Sequence, residues 1–266
     1  VAEGAEPEEL LSEYADILSV AVTADIMPLK GENRSIVKDG IKKLKSAPSA
    51  GLSAIMSVAG IKCGDMNASR IAFGIAPRIN AAGRLGNADI AFRLLTTDNE
   101  SEALKLAKRI DELNTERRET ENEIFKKAAE TIEKEGLDHR RVIVVSGKGW
   151  HPGVVGIAAA RITERYGKPS VVISENGDVS SGSARSIEGF AVFDAIKYAS
   201  SLLTKFGGHK QAAGLSLKTE NIAAFREKIN EYAEAIPFVP PTLRLDCRLK
   251  PSALSLDLAD AIKQLE

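Results

Sequence analysis

The chain has 266 residues, 44% of them hydrophobic and 27% charged, which is a globular composition at a length for one large or two ordinary domains. Its 36 basic residues face 37 acidic ones, so bulk charge gives no support to non-specific coating of nucleic acid, although cations gathered in one groove remain compatible with it. With 5% aromatic residues and three histidines, neither extended base stacking nor a His-rich metal centre is built from this chain.

No apolar run approaches the length of a membrane span, and the opening V-A-E-G-A-E-P-E-E lacks the basic and apolar regions of a secretory signal. Cys63 and Cys247 stand alone without C-x-x-C spacing, which fits a reducing cytoplasm and speaks against a disulfide framework or structural zinc. Glu8 to Tyr14 reads as helix, and I-L-S-V-A-V-T-A-D-I-M-P-L then reads as a buried strand running into a turn at Pro28. Asp25 ends that run. At the end of a strand a carboxylate sits either in an active-site crevice or as the cap of the next turn, and local sequence leaves both open.

G-E-N-R-S-I-V-K-D-G-I-K-K-L begins a helix with Asn33 as its cap, and Pro48 to Gly60 makes another. I-A-F-G-I-A-P-R-I-N-A-A-G-R then sets Arg78, Asn80 and Arg84 among small residues. Such neighbours leave room for a phosphate beside each guanidinium; an inter-helix turn whose arginines pair with acids such as Asp89 fits equally well. Thr97-Asp98-Asn99-Glu100 is a helix-start signature, Gly136 is a stop, and between them runs a helix of about 38 residues, about 57 Å long. Its middle, N-T-E-R-R-E-T-E-N-E, is almost wholly polar and reads as a solvent-spanning connector between domains. From about Arg140 to Ile236 strands and helices alternate, with Pro152 in a first helical turn and His151 beside it. Pro237, Pro240 and Pro241 mark a linker; T-L-R-L-D-C-R-L reads as the first strand of a further unit, and S-L-D-L-A-D-A-I-K-Q-L-E as a short helix.

The segment Ser181 to Gly214 carries the most chemistry. G-S-A-R-S and F-G-G-H-K-Q-A-A-G read as two small-residue turns at either end of an amphipathic helix. Their glycines permit close approach to an anion, Ser183 and Ser186 add hydroxyls, and Arg185 adds a bidentate cation. Each turn alone is as consistent with an ordinary surface loop. Both together point to phosphate binding.

These two motifs, with the upstream G-W-H-P-G-V-V-G-I-A-A-A-R and P-R-I-N-A-A-G-R, resemble in matching order the second half of the RecJ-type single-stranded-DNA exonucleases of the DHH phosphoesterase superfamily, from about Leu18 to the C-terminus. The resemblance implies an α/β protein: two α/β domains joined by a long interdomain helix, with the beginning of a β-barrel, an OB-fold, at the C-terminus. It divides the chain into the end of a DHH domain (1–97), the connecting helix (98–136), a DHH-associated substrate-binding domain (137–236) and the truncated OB-fold (237–266). It further implies 5′ to 3′ hydrolysis of single-stranded DNA, in repair and recombination, by two Mn2+ or Mg2+ ions, with Asp25 as one metal ligand. Ser183, Arg185 and Ser186 would hold the 5′ phosphate with Arg78 or Arg84 and Asn80, while Gly207, Gly208 and His209 line the strand's path. The implied partners are single-stranded DNA, a single-strand-binding protein and a helicase, in the cytoplasm and with no membrane. The D-H-H triplet and paired aspartates of the family are absent, so the chain reads as a fragment, inactive on its own. The rival readings are a DHH-family phosphodiesterase acting on short oligonucleotides or cyclic dinucleotides, which also carries a G-G-H motif, and a non-catalytic single-strand-binding module.

Overall fold

The computed structural model describes residues 7–237, 242–243 and 245–263. Its first third is helical. The apolar run expected as a strand is the second half of α1 (Pro7–Ala24), which packs along α2 (Glu32–Ser46). A run of Ile, Leu, Val and Ala fits a buried helix as well as a strand, and here the helical start at its N-terminal side continues through it. The carboxylate of Asp16, fully buried on α1, accepts the Ser49 amide at 2.8 Å and lies 3.4 Å from the Lys43 ammonium, tying α1 to α2 and to the start of α3 (Ala50–Val58). Asn33 does not cap α2: the cap position is Gly31, and the Asn33 side chain instead donates to the Pro28 carbonyl.

A helical turn, α4 (Ala68–Arg70), runs through a π-turn at Ile71–Ile75 into α5 (Ala76–Leu85), so P-R-I-N-A-A-G-R is helix rather than an inter-helix turn. After α6 (Ala88–Thr96) comes α7 (Glu100–Glu135), 36 residues long, capped by the Asn99 side chain on the Glu102 amide and stopped by Gly136 in the left-handed conformation. Leu44, Leu52, Ile55, Ile71, Ile75 and Leu94 form the core of this part together with Ala103, Ile110 and Leu113 of α7. Among the described residues no strand precedes Ile143, so the region expected as an α/β domain is helical in this chain.

The remainder is a five-stranded mixed sheet in the order β1-β2-β3-β5-β4: β1 (Ile143–Lys148), β2 (Ser170–Glu175), β3 (Val179–Arg185), β4 (Leu203–His209) and β5 (Ala212–Lys218). Only β1 and β2 are parallel, and α8 (Pro152–Tyr166) makes the crossover between them. That helix covers β2 and β3 on one face and meets Ile124, Ala128 and Ile132 of α7 in a second core. On the opposite face α9 (Val192–Tyr198) and α10 (Ile222–Glu234) bury Ala184, Ala213, Leu215 and Leu217. The connector α7 is therefore part of both cores, and its polar middle does not span solvent: Asn114 and Glu121 are buried there.

The first glycine motif is not a turn, and the second, F-G-G-H-K-Q-A-A-G, is the β4–β5 hairpin, with its turn at Lys210 and Gln211 and its glycines in the strands. G-S-A-R-S ends β3, and Gly207, Gly208 and His209 end β4, with the shorter α9 and a 3-10 turn at Ser200–Leu202 between them. Pro240 and Pro241 lie outside the described residues; those of T-L-R-L-D-C-R-L that are described form no strand, while α11 (Leu256–Lys263) is the expected short helix. No described helix is long and apolar enough to cross a membrane.

Candidate nucleic-acid interface

The two arginines of α5 have different surroundings. Arg78 donates through Nε to the Asp111 carboxylate of α7 at 2.8 Å and through Nη1 to the Gly74 carbonyl of the π-turn at 2.6 Å, which uses its fork to fasten α5 to its neighbours. Arg84, near the end of α5, makes only a long 3.3 Å contact to the Gly153 carbonyl and meets no carboxylate among the described residues. Together with Asn80 and Asp25 it borders an open surface depression at the end of α1. Asp25 itself follows the last turn of α1, its amide bonded to the Ala21 carbonyl, and the next residue, Ile26, has φ 54°, a strained conformation for a β-branched side chain. Among the described residues no three His, Cys, Asp or Glu side chains cluster to hold a metal, around Asp25 or elsewhere.

The first turn of α8 brings the other half of the site against Arg84. Pro152 occupies its first position, and the His151 side chain caps it by accepting the Gly153 amide at Nδ1, 3.1 Å away. Gly153 is required here: a Cβ would sit 2.3 Å from the Arg84 carbonyl oxygen. One turn on, α8 passes over Ser183 and Arg185, both pointing from β3 towards it; a Cβ on Gly156 would lie 3.0 Å from Ser183 Oγ and 3.3 Å from Arg185 Nη2. Arg185 donates to Ser183 Oγ and to the Ala184 carbonyl, again with no carboxylate among the described residues. Burial, and secondarily the nearby Arg84 charge, lower the Arg185 pKa from the usual guanidinium value. Two arginines that repel each other at a helix N-terminus, beside a hydroxyl, form a site that an anion stabilises.

Strand register extends this site into a platform. Ser183 pairs with Gly214 and Gly214 with Gly207; Arg185 pairs with Ala212 and Ala212 with His209. Side chains in register share a face, so Ser183, Arg185 and His209 lie on the same side of the sheet, and the outer part of that side is open: Gly207, His209 and Gly214 are exposed. Gly208 points the other way, with φ 148°, where a Cβ would approach the Ala212 carbonyl oxygen to 2.4 Å. Ser186 is not brought to the cluster: its hydroxyl donates to the Phe190 carbonyl at 2.7 Å and its amide to the Gln211 carbonyl. His209, exposed, accepts the Gln211 amide at Nδ1 over 3.3 Å.

Comparison with known proteins follows the same residues. The model of the DHHA1 domain matches residues 139–235. The single-stranded-DNA-specific exonuclease RecJ of Bacillus subtilis is 39% identical over 228 residues, 85% of this chain and 29% of the relative. That of Escherichia coli is 33% identical over 269 residues, covering 95% of this chain and 46% of the relative. The chain is homologous to part of RecJ. A crystal structure of RecJ from Thermus thermophilus in complex with Mn2+ superposes on 96% of this RecJ homologue and 37% of that chain, with TM-score 0.83 and 33% identity. A further structure, of exonuclease RecJ bound to manganese, gives TM-score 0.75 at 35% identity over 88% of this chain and 57% of the other.

One residue of the interface escaped the sequence. Arg117, in the polar middle of α7, borders the same groove as Asn80 and Arg84. It donates to Glu121 at 2.6 Å and to Asn114 at 2.8 Å, and Glu121 also accepts from Arg161 of α8. The signal was present as spacing: Asn114, Arg117 and Glu121 lie three and four residues apart, on one face of the helix.

Proposed function

We propose that this chain is the strand-holding part of a 5′ to 3′ single-stranded-DNA exonuclease, with Arg84, Arg185 and Ser183 receiving the 5′ phosphate. The observation that carries the reading is the meeting of Arg84 and Arg185, each without a carboxylate partner among the described residues, at the first turns of α8. The RecJ relatives named above support it through their specificity for single-stranded DNA. The strand leaves the phosphate site across the open platform of Gly207, Gly214 and His209, and Asn80 and Arg84 lead it towards Asp25. Arg78 is a structural residue in this reading, and Ser186 shapes the loop after β3.

Because the chain spans 29% and 46% of the two curated relatives, hydrolysis belongs to the longer protein. RecJ structures hold Mg2+ or Mn2+, and Asp25 would supply one carboxylate to such an ion, the remaining ligands coming from outside this chain. Residues from 237 onward would begin an OB-fold, and a cytoplasmic setting with a single-strand-binding protein and a helicase as partners completes the proposal. The test is a titration with a 3′-labelled oligothymidylate carrying either a 5′ phosphate or a 5′ hydroxyl at fixed salt. Tighter binding of the phosphorylated end, abolished in Ser183→Ala/Arg185→Ala, is expected; equal binding of both ends by the unaltered chain overturns the assignment.

A further inference from the structure

The charge around Glu121 does not balance. Glu121 is a single carboxylate, 8% exposed, and its two oxygens are taken by Arg117 and Arg161. Exposed Arg84 is near enough to act electrostatically on both Arg117 and Arg185, and neither it nor Arg185 meets a carboxylate among the described residues. If Glu121 served only as a structural counter-ion, one arginine would satisfy it. Half-burying more is costly unless an anion arrives. The terminal phosphate described above falls to Arg185 and Arg84; Arg117 lines, with Asn80 and Arg84, a groove to which Arg185 does not contribute.

We propose that Arg117 is a further binding residue, which takes an internucleotide phosphate of single-stranded nucleic acid next to the 5′ end, with Glu121 and Asn114 holding its guanidinium in place beforehand. The inference rests on the proposed function, since it needs the strand to enter at Arg185. Its ligand is distinct from the terminal phosphate: a phosphodiester carries one negative charge and is present whether or not the 5′ end is phosphorylated. Asn114 and Glu121 bond Nη2 and Nη1, fixing the plane of the guanidinium before the strand arrives, so that little side-chain freedom is lost on binding. Burial is the main cause lowering the Arg117 pKa from the ordinary arginine value, and Arg118 and Arg84 add to it, consistent with a cation held where a further negative charge is welcome.

The double variant Arg117→Gln/Glu121→Gln removes one positive and one negative charge together, leaving net charge unchanged, and Arg161 then faces a neutral amide. With the oligothymidylates described above, the double variant is expected to bind both the 5′-phosphorylated and the 5′-hydroxyl strand about tenfold more weakly, and to lower the slope of log affinity against log salt by about 0.7, the value for one phosphate on a single strand. Arg185→Ala is expected to weaken only the phosphorylated strand. Arg117→Lys, which keeps the charge but not the fork, is expected to fall between. Thermal melting of each variant separates lost binding from lost folding, and a double variant too unstable to titrate leaves Arg117→Lys to decide through its affinity for the hydroxyl strand. Wild-type affinity and slope in the double variant, or a loss confined to the phosphorylated strand, overturns the role of Arg117 while the function stands. An Arg185→Ala variant that keeps the full preference for phosphorylated ends overturns the function, and this inference with it.

Discussion

At the scale of single residues, what separates a binding arginine from a structural one is the fate of its donors. Arg78 and Arg84 come from one motif with the same small neighbours, and no reading of that motif tells them apart. The structure does, through a residue 33 positions from Arg78: Asp111 on α7 takes the Arg78 guanidinium, while Arg84 meets only a backbone carbonyl. Arg84→Ala is expected to weaken binding of 5′-phosphorylated single strands about tenfold, the worth of one charge-assisted hydrogen bond, with melting unchanged. Arg78→Ala is expected to do the reverse. Losing a partly buried ion pair and the bond to Gly74 costs on the order of 1 kcal/mol, or about 2–4 °C in melting temperature, and leaves affinity within a factor of two. Fluorescence anisotropy and thermal melting on both variants check the pair. Ser186 and Arg117 illustrate the same difficulty from opposite sides. A hydroxyl next to Arg185 in sequence is spent on the Phe190 carbonyl, and an arginine 68 residues before Arg185 shares its groove with Arg84.

At the scale of elements, legibility tracked how far local pattern alone fixes conformation. The strands after Arg141 and the helices α7, α8 and α10 were readable because apolar runs, Pro152, Asn99 and Gly136 mark them directly. α1 was not, since I-L-S-V-A-V-T-A satisfies two periodicities and only packing against α2 chooses between them. Gly207 and Gly208 suggested a turn for the usual reason, but both lie within β4, where Gly208 is required by a close approach to the backbone of Ala212 and Ala213 and a Cβ on Gly207 would meet nothing within 4 Å. The polar middle of α7 reads as solvent-facing in the sequence because its partners, α5 and α8, are brought to it only by the tertiary fold. Helix α8 joins the two halves of the site, and Gly153 sets how closely it can approach α5. Gly153→Ala places a methyl 2.3 Å from the Arg84 carbonyl oxygen, so α8 must retreat. The expected result is a loss of about 1–3 kcal/mol in denaturant unfolding, together with weaker discrimination between 5′-phosphate and 5′-hydroxyl ends as Arg84 and Arg185 move apart. Discrimination at the wild-type level with reduced stability would show that the end is read by β3 alone.

At the scale of the whole molecule, a net charge of −1 and a proposed nucleic-acid ligand are reconciled by where the cations sit. Some surface charges pair locally along helices, as in Arg109 with Glu112, Lys127 with Glu123 and Lys228 with Glu231, and such pairs present no field to a distant strand. At the junction of α5, α8 and β3 two arginines, Arg84 and Arg185, meet no carboxylate among the described residues, and exposed His209 lies on the same side of the sheet. This distribution sets the salt dependence. If Arg84 and Arg185 hold the terminal phosphate and Arg117 the next one, they contact about two phosphates between them, each contributing about 0.7 on a single strand, and log affinity should fall against log salt with a slope of about −1.4. A protein that coated single strands through general basicity would show a steeper slope that grew with oligonucleotide length. Titrations from 50 to 300 mM salt, roughly the range over which such slopes are linear, with strands of six and eighteen nucleotides distinguish the two. A slope near −1.4 at both lengths, about 0.7 for each of two phosphates, is the signature of a localised end-holding site; one that steepens with length would place the dominant contacts outside the junction and remove the basis for a phosphate-counting role for these three arginines.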